Sequence, residues 1–151
     1  NGGTGATSFA PGKLLQTVQA QKDGVITTSS TSYVTTSLSA SITPSSSSNK
    51  VLVIANMVAC YAATQNKNGY FTIYRGATNI ALGGSGVYKQ ISGFYANNSA
   101  ATPSLSMSQI DSPSTTSATT YTIYFATDSG GDQRMNQNGT TSTIQLFEIA
   151  G

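Results

Sequence analysis

The sequence contains no histidine, no tryptophan and only one cysteine, Cys60, among its 151 residues. Without histidine, neither a Ser-His-Asp nor a Cys-His catalytic arrangement can form. Zinc sites normally combine cysteine and histidine ligands, and an internal disulfide needs two cysteines, so both are excluded. Cys60 lies in an apolar run, where a free cysteine usually behaves as a small hydrophobic residue. We therefore expect no metal, no cofactor and no thiol chemistry.

Charge is also scarce. Only 8% of the residues are Asp, Glu, Lys or Arg, against a usual share of about 25%. The formal net charge is +2, and the basic residues form no cluster, so we expect no nucleic-acid partner. A membrane-spanning helix needs about 20 consecutive apolar residues, and no run is that long, so we expect no membrane insertion. Low charge also means little repulsion between copies, which permits close packing of subunits.

Five carboxylates remain as candidates for acid–base or metal chemistry. Asp128 and Asp132 lie in the polar segment 128–139, which we predict to be a long loop with Met135 as its one apolar anchor. Glycoside hydrolysis needs two carboxyl groups facing a sugar, one with a pKa raised by apolar surroundings, and a polar loop offers no such environment. The side-chain oxygens of this predicted loop would suit Ca²⁺, but their spacing matches no known calcium loop. We therefore expect the chain to have no enzymatic activity.

The most apolar stretch, Lys50–Tyr61, is rich in β-branched residues, which favour a strand. A half-buried strand alternates apolar and polar residues, whereas this one is apolar on both faces. Segments 119–126 and 143–149 show the same pattern. Such strands must be covered on both sides, by a second sheet or by another copy of the chain. The outward sets give the predicted oligomer interface: Leu52, Ile54, Val58, Tyr124, Phe147 and Ile149.

The whole chain reads as nine or ten short strands, one of them over residues 87–94, with no convincing helix. This spacing predicts an all-β fold, an antiparallel two-sheet sandwich of jelly-roll type. A β-helix is the main rival, but no fixed-period repeat supports it. Residues 1–12 are rich in Gly, Thr and Ala and are predicted to be a flexible tether; residues 13–151 form one domain.

A resemblance to a known protein family rests on a succession of stretches: Gly12–Gln16, Thr31–Val34, Leu38–Pro44, Ser48–Val53, Tyr74–Ile80, Asp111–Pro113, Thr119–Ile123 and Ser142–Ile144. Together they resemble virion structural proteins of tailed bacteriophages, in which this succession forms a β-sandwich head on a tail fibre or a knob on the capsid. The resemblance implies a homotrimer on the particle surface without a catalytic motif. Host attachment is its favoured role, with capsid decoration as the alternative. The 1–12 tether would join it to other virion proteins.

Recognition residues concentrate on loops held by a rigid scaffold, so the polar loops are the predicted receptor-binding tip. The candidate residues are Asn97, Asn98, Asp132, Arg134, Asn136 and Asn138. A carbohydrate-binding lectin module is the second alternative, with a host surface glycan as its partner. Sugars stack on aromatic rings, and the candidate rings are Tyr61, Tyr70, Tyr74, Tyr88 and Tyr95.

Overall fold

The computed structural model describes residues 12–97, 102–128 and 131–151, and within them the regular structure is β-strands and two 3₁₀ turns. The predicted 1–12 tether therefore lies outside the described residues except for Gly12. The strands are β1 (Leu14–Asp23), β2 (Ile26–Thr28), β3 (Val34–Ile42), β4 (Lys50–Met57), β5 (Tyr61–Ala62), β6 (Lys67–Arg75), β7 (Thr78–Asn79), β8 (Ser92–Ala96), β9 (Leu105–Asp111), β10 (Thr119–Thr127), β11 (Gln133–Met135) and β12 (Thr141–Ile149). The 3₁₀ turns are Gly86–Tyr88 and Gln137–Gly139.

Two antiparallel sheets pack face to face. The front sheet has the order β1-β12-β4-β9, and the back sheet has the order β3-β10-β6, with β7 and β8 both paired to β6. A small third sheet, here called the end sheet, has the order β2-β11-β5. The predicted all-β antiparallel sandwich is confirmed.

The core lies between the inner faces of the front and back sheets. Alternation along each strand sends every second side chain inward, as the period of a pleated strand requires. Phe71 and Phe125 meet there with ring centroids 5.9 Å apart. The other fully enclosed side chains come from both sheets and include Leu38, Val51, Val53, Ile73, Tyr121, Ile123, Ile144 and Leu146. The front and back sheets therefore share one continuous core.

The back sheet is covered on its outer side as well. Tyr70 and Thr72 point away from the core, yet both are buried. Residues 80–91 fold over them: the ring of Tyr88 meets that of Tyr70 at 5.6 Å. The strand predicted over 87–94 is therefore wrong in its first half. Gly84 and Gly86 adopt positive φ values of 80° and 54°, which turn the chain, and the strand begins only at Ser92.

The sandwich has two different ends. The amide of Gly12 donates to the carbonyl of Ala150 at 2.8 Å, and the amide of Ala150 donates to the carbonyl of Lys13 at 2.9 Å. Both termini of the described domain therefore leave from the same end, which we call the terminal end. The end sheet closes the opposite, distal end, because β2 follows β1 there and β11 lies between β10 and β12 in the chain.

A charged cluster at the terminal end ties the two sheets together. Arg75 of β6 contacts Asp111 of β9 with an N–O distance of 2.8 Å, and the Tyr121 hydroxyl of β10 donates to the same carboxylate at 2.7 Å. Burial, followed by this bond to Asp111, raises the pKa of Tyr121, so the phenol stays protonated and donates. The cluster therefore joins the back sheet to the edge strand of the front sheet.

We expect Tyr121→Phe to lower the free energy of unfolding by about 1–2 kcal/mol, because a hydrogen bond to a charged acceptor is lost while the ring is kept. Urea unfolding measures the change. Tyr95→Phe is the matched control, since the Tyr95 hydroxyl bonds to Asn66 at the exposed surface, and it should change little. Equal losses in the two variants would contradict a structural role for the cluster.

Candidate interaction surfaces

The outer face of the front sheet carries a strip of apolar side chains. The register places Thr17, Phe147, Leu52 and Ile110 side by side across β1, β12, β4 and β9. The next residues along these strands extend the row in both directions. We call the set the apolar strip: Leu14, Leu52, Ile54, Ile110, Phe147 and Ile149. Leu14 and Ile110 are each 54% exposed, and the other four are half-buried, so nothing within the described chain covers the strip.

The same face becomes polar towards the distal end. Gln145 donates to Gln19 at 3.0 Å, and Ser106 donates to Asn56 at 2.6 Å. These residues carry amides and hydroxyls but no charge. Lys50, which pairs with Ile149, is the charged residue at the terminal margin of the strip. The front face is thus apolar near the termini and polar near the end sheet, where Asp23 at the end of β1 accepts a hydrogen bond from Thr141.

Four of the six predicted interface residues lie together in this strip, and two do not. Val58 lies beyond β4 at the distal end, where its amide donates to the Ser142 hydroxyl at 2.9 Å. Tyr124 lies on the outer face of the back sheet and stacks on Tyr74 with centroids 4.0 Å apart. The six interface candidates therefore do not lie on one surface. Alternation along a strand gives the face of a side chain, but not the sheet to which the strand belongs.

Residues 128–139, predicted to be one long loop, contain strand β11 in the middle of the end sheet. Gln133 and Met135 point inward and are fully buried, while Arg134 points outward. Arg134 pairs with Asp132 at 3.0 Å and lies 5.7 Å from the ring centroid of Tyr61, its partner across the sheet. The prediction of one long loop is therefore wrong, although Asp132 and Arg134 do lie partly exposed at the distal end.

Asn136 is fully buried, so its prediction as a receptor contact is wrong. Its φ of 61° turns the chain after β11, its side-chain amide donates to the Lys22 carbonyl at 2.7 Å, and its side-chain oxygen accepts from Ser142. These bonds fix the turn to β1 and β12. Asn138 and Asn97 are exposed at the distal end, and Asn98 lies outside the described residues.

The carboxylates serve the fold wherever their partners are defined. The Asn68 side chain donates to Asp128 at 2.6 Å. Burial acts to raise the pKa of Asp128, but the hydrogen bonds from Asn68, a backbone hydrogen bond of Asp128 itself and the charge of Lys67 together lower that pKa. Among residues 12–97, 102–128 and 131–151, no three Asp, Glu or Cys side chains come together as metal ligands.

Sequence reasoning missed Glu148. Only 1% of its surface is exposed, and its carboxylate accepts bonds from Gln16, Asn49, and the amide and hydroxyl of Ser45. Burial acts to raise the pKa of Glu148, yet these four bonds together lower it. The burial of Glu148 could have been predicted from alternation along β12, which places Glu148 on the same face as Ile144 and Leu146.

The outer face of the back sheet carries three tyrosines in contact. Tyr74 stacks on Tyr124, and Tyr33 meets Tyr74 edge to face at 6.2 Å. A cleft of about 210 Å³ borders this cluster between Tyr33 and Val87. Of the other predicted sugar platforms, Tyr70 is buried, while Tyr88 and Tyr95 are 65% and 54% exposed.

The chain matches no protein-family model, and no curated protein matches it either. None of the described elements is a helix with the length and apolar character to cross a bilayer.

Proposed function

We propose that this chain is a non-enzymatic structural subunit of a bacteriophage particle: the β-sandwich head of a tail fibre or spike, assembled as a homotrimer and exposed for attachment to the host surface. The observation that carries the proposal is the apolar strip. Solvent-exposed contiguous apolar surface marks an interaction site in a folded protein. The bacteriophage assignment rests on the resemblance of the sequence segments.

The strip gives the proposed trimer its driving force. Fully burying a Leu, Ile or Phe side chain contributes about 1.5–3 kcal/mol. Leu52, Ile54, Phe147 and Ile149 are already half-buried, so each contributes part of that amount. A standard interface buries about 800 Å² per partner, for which the apolar share is worth on the order of ten kcal/mol before the cost of association.

The occupant of the strip is a second copy because of its charge pattern. No acidic side chain lies in the strip, and exposed Lys50 stands at its margin. A lysine at such a margin can cover apolar surface with its stem and keep its ammonium group in water. Three such strips turned towards a common axis meet without placing charged side chains of the strip against one another. The polar half of the face, with Gln19 and Asn56, suits a wet interface with bridging water. The trimer would then be tightest near the termini.

The two ends of the sandwich give the proposed assembly a direction. Gly12 and Gly151 lie at the terminal end, so the rest of the particle would connect there. The end sheet, with Asp132 and Arg134, then points away from the particle, together with exposed Asn138. This orientation supports the attachment role, because the candidate contact residues lie farthest from the connection.

Light scattering after size exclusion tests the assembly. We expect the mass of three chains, independent of dilution over the micromolar range. A single-chain mass would contradict the proposal, and a two-chain mass would retain self-association but contradict the trimer. Electron microscopy of particles labelled with an antibody against the chain should place the label at the fibre tips; label on the capsid would contradict the fibre location.

A further inference from the structure

The outer side of the back sheet contains a cleft that the assembly described above does not use. It lies where residues 80–91 fold over the sheet, and its volume is about 210 Å³. Six residues line it: Thr31, Ser32, Tyr33, Tyr74, Gly86 and Val87. We propose that this cleft binds one neutral pyranose unit of a saccharide.

The walls of the cleft supply the aromatic surface. Tyr74 is held by its stack on Tyr124, with 4.0 Å between centroids and 26° between planes. Tyr33 is held against Tyr74 at 6.2 Å and 64°. A pyranose ring presents C–H groups on one face, and such groups pack on an aromatic ring. Because neighbouring rings fix both walls, little side-chain entropy is lost on binding.

The rim of the cleft supplies both hydrogen-bond donors and hydrogen-bond acceptors. Thr31 and Ser32 are exposed, and each carries a hydroxyl that donates and accepts. The Tyr33 hydroxyl donates to the Val87 carbonyl at 2.7 Å, which holds the folded-over segment in place and leaves the phenol oxygen as an acceptor. Sugar hydroxyls also donate and accept, so a mixed rim matches them better than a rim of one kind.

The lining carries no charge, which decides the class of sugar. None of the six lining residues is acidic or basic. Burial, followed by the neighbouring Tyr74 and Tyr70, raises the pKa of Tyr33, so its phenol stays neutral. An anionic sugar would lose water without gaining a counter-charge, which is costly in a partly buried site. The cleft is also smaller than the roughly 300–1,000 Å³ of drug-sized pockets, which limits it to about one ring.

Position separates this cleft from two larger ones. A cleft of about 420 Å³ lies beside Leu14 and Glu148, and another of about 430 Å³ lies beside Ile54. Both border the apolar strip, which the proposed trimer covers. The cleft lined by Tyr33 and Tyr74, here called the tyrosine cleft, lies on the opposite sheet and stays open in such a trimer. The inference thus deepens the attachment role in the proposed function, but sugar binding itself does not require the trimer.

Saturation-transfer NMR on the full chain tests the proposal, with glucose, galactose and mannose as separate probes and N-acetylneuraminic acid as the anionic comparison. We expect at least one neutral sugar to bind with a dissociation constant in the millimolar range. Failure of all three neutral sugars, or stronger binding of the anionic sugar, would overturn the proposal.

Ser32→Trp fills the cleft from its exposed rim and should weaken the binding by about tenfold. Thr116→Trp adds the same bulk to an exposed loop at the terminal end and should leave binding unchanged. Tyr33→Phe is a second cleft variant that keeps the ring and should weaken binding several-fold. Unchanged binding in both cleft variants would overturn the site. The oligomeric mass is measured on the same samples: a trimer that binds no sugar contradicts only the cleft, and a sugar-binding monomer contradicts only the assembly.

Discussion

Phe147→Glu is expected to convert the proposed trimer into single chains. Phe147 lies near the middle of the apolar strip, between Thr17 and Leu52 in the register. The substitution removes about 1.5–3 kcal/mol of apolar burial and places an unpaired carboxylate in the interface, at a further cost of several kcal/mol per chain. Since each 1.4 kcal/mol is about tenfold, association should weaken by at least about a thousandfold. Light scattering should then give the mass of a single chain instead of three.

The fold of the single chain should survive this substitution. Phe147 points away from the core, so a carboxylate there faces water once the subunits separate. Circular dichroism should therefore match that of the unaltered chain. Ser39→Glu is the matched control, because Ser39 is exposed on the outer face of the back sheet, opposite Thr122. If Ser39→Glu also produced single chains, or Phe147→Glu left the mass unchanged, the front face would not be the interface.

Acid should reverse the effect of Phe147→Glu. The introduced carboxyl group has an ordinary pKa of about 4.3 in water, and burial against apolar neighbours raises it. Below that pKa the group is neutral and only the lost aromatic area opposes association. Partial recovery of the larger mass near pH 4 would show that charge, rather than a local distortion of β12, causes the dissociation.

The sequence predicts the long strands well because they are rich in β-branched and other apolar residues. Apolar residues at every second position mark β4, β10 and β12, and their inner sets are all buried in the core. Strand β3 consists of two extended segments, 34–36 and 38–42. Ser37 adopts a φ of 61° between them, and the pairing with β10 shifts register there. A local bulge of this kind leaves no mark in hydrophobic alternation.

The distal end could not be predicted to the same degree. Strand β11 has the sequence Gln-Arg-Met, which shows no apolar alternation, and it exists because β2 and β5 pair with it from distant parts of the chain. Asn136 has the character of a polar loop residue, although its left-handed backbone and its two side-chain hydrogen bonds make it part of the interior. Strand β11 and the burial of Asn136 both depend on contacts between distant parts of the chain, and a single sequence does not reveal such contacts.

The contact of Tyr124 with the back-sheet tyrosines was hidden for the same reason. Its outward direction follows from alternation along β10. Its partner Tyr74 comes from β6, and Tyr33, which contacts Tyr74, comes from the segment before β3. Only the order of strands in the back sheet brings the three rings together. The tyrosine cleft is thus a product of topology, whereas the apolar strip follows largely from the strand patterns.

Glu148→Leu should be the most destabilising single change at the terminal end. Glu148 accepts at 2.6 Å from Gln16 and from Asn49, and at 2.6 and 2.8 Å from the amide and hydroxyl of Ser45. A leucine leaves these donors without their acceptor, and removing one member of a buried charged network costs about 3–5 kcal/mol. Against a total stability of about 5–15 kcal/mol, urea unfolding should show a large fall in the midpoint.

Glu148→Gln separates the charge of the network from its shape. It keeps one acceptor oxygen but turns an amide towards donors, and we expect a loss of about 1–3 kcal/mol at neutral pH. A midpoint for Glu148→Leu equal to or above that for Glu148→Gln would contradict the account of stranded donors. Equal midpoints in the unaltered chain and Glu148→Gln would show that the negative charge contributes nothing.

The stability from the Glu148 charge has a definite pH dependence. Its pKa in the folded chain lies below the ordinary value of 4.5, so the folded state binds this proton less readily than the unfolded state. The contribution is therefore complete above about pH 4.5 and is lost as the pH falls through the folded pKa. Asp128, whose pKa is also lowered, adds a loss of the same sign. Because Glu148→Gln retains Asp128, the difference in unfolding free energy between it and the unaltered chain isolates Glu148. That difference should shrink between pH 5 and pH 3; a difference that stays constant or grows would mean that the carboxylate is not held ionised by its four donors.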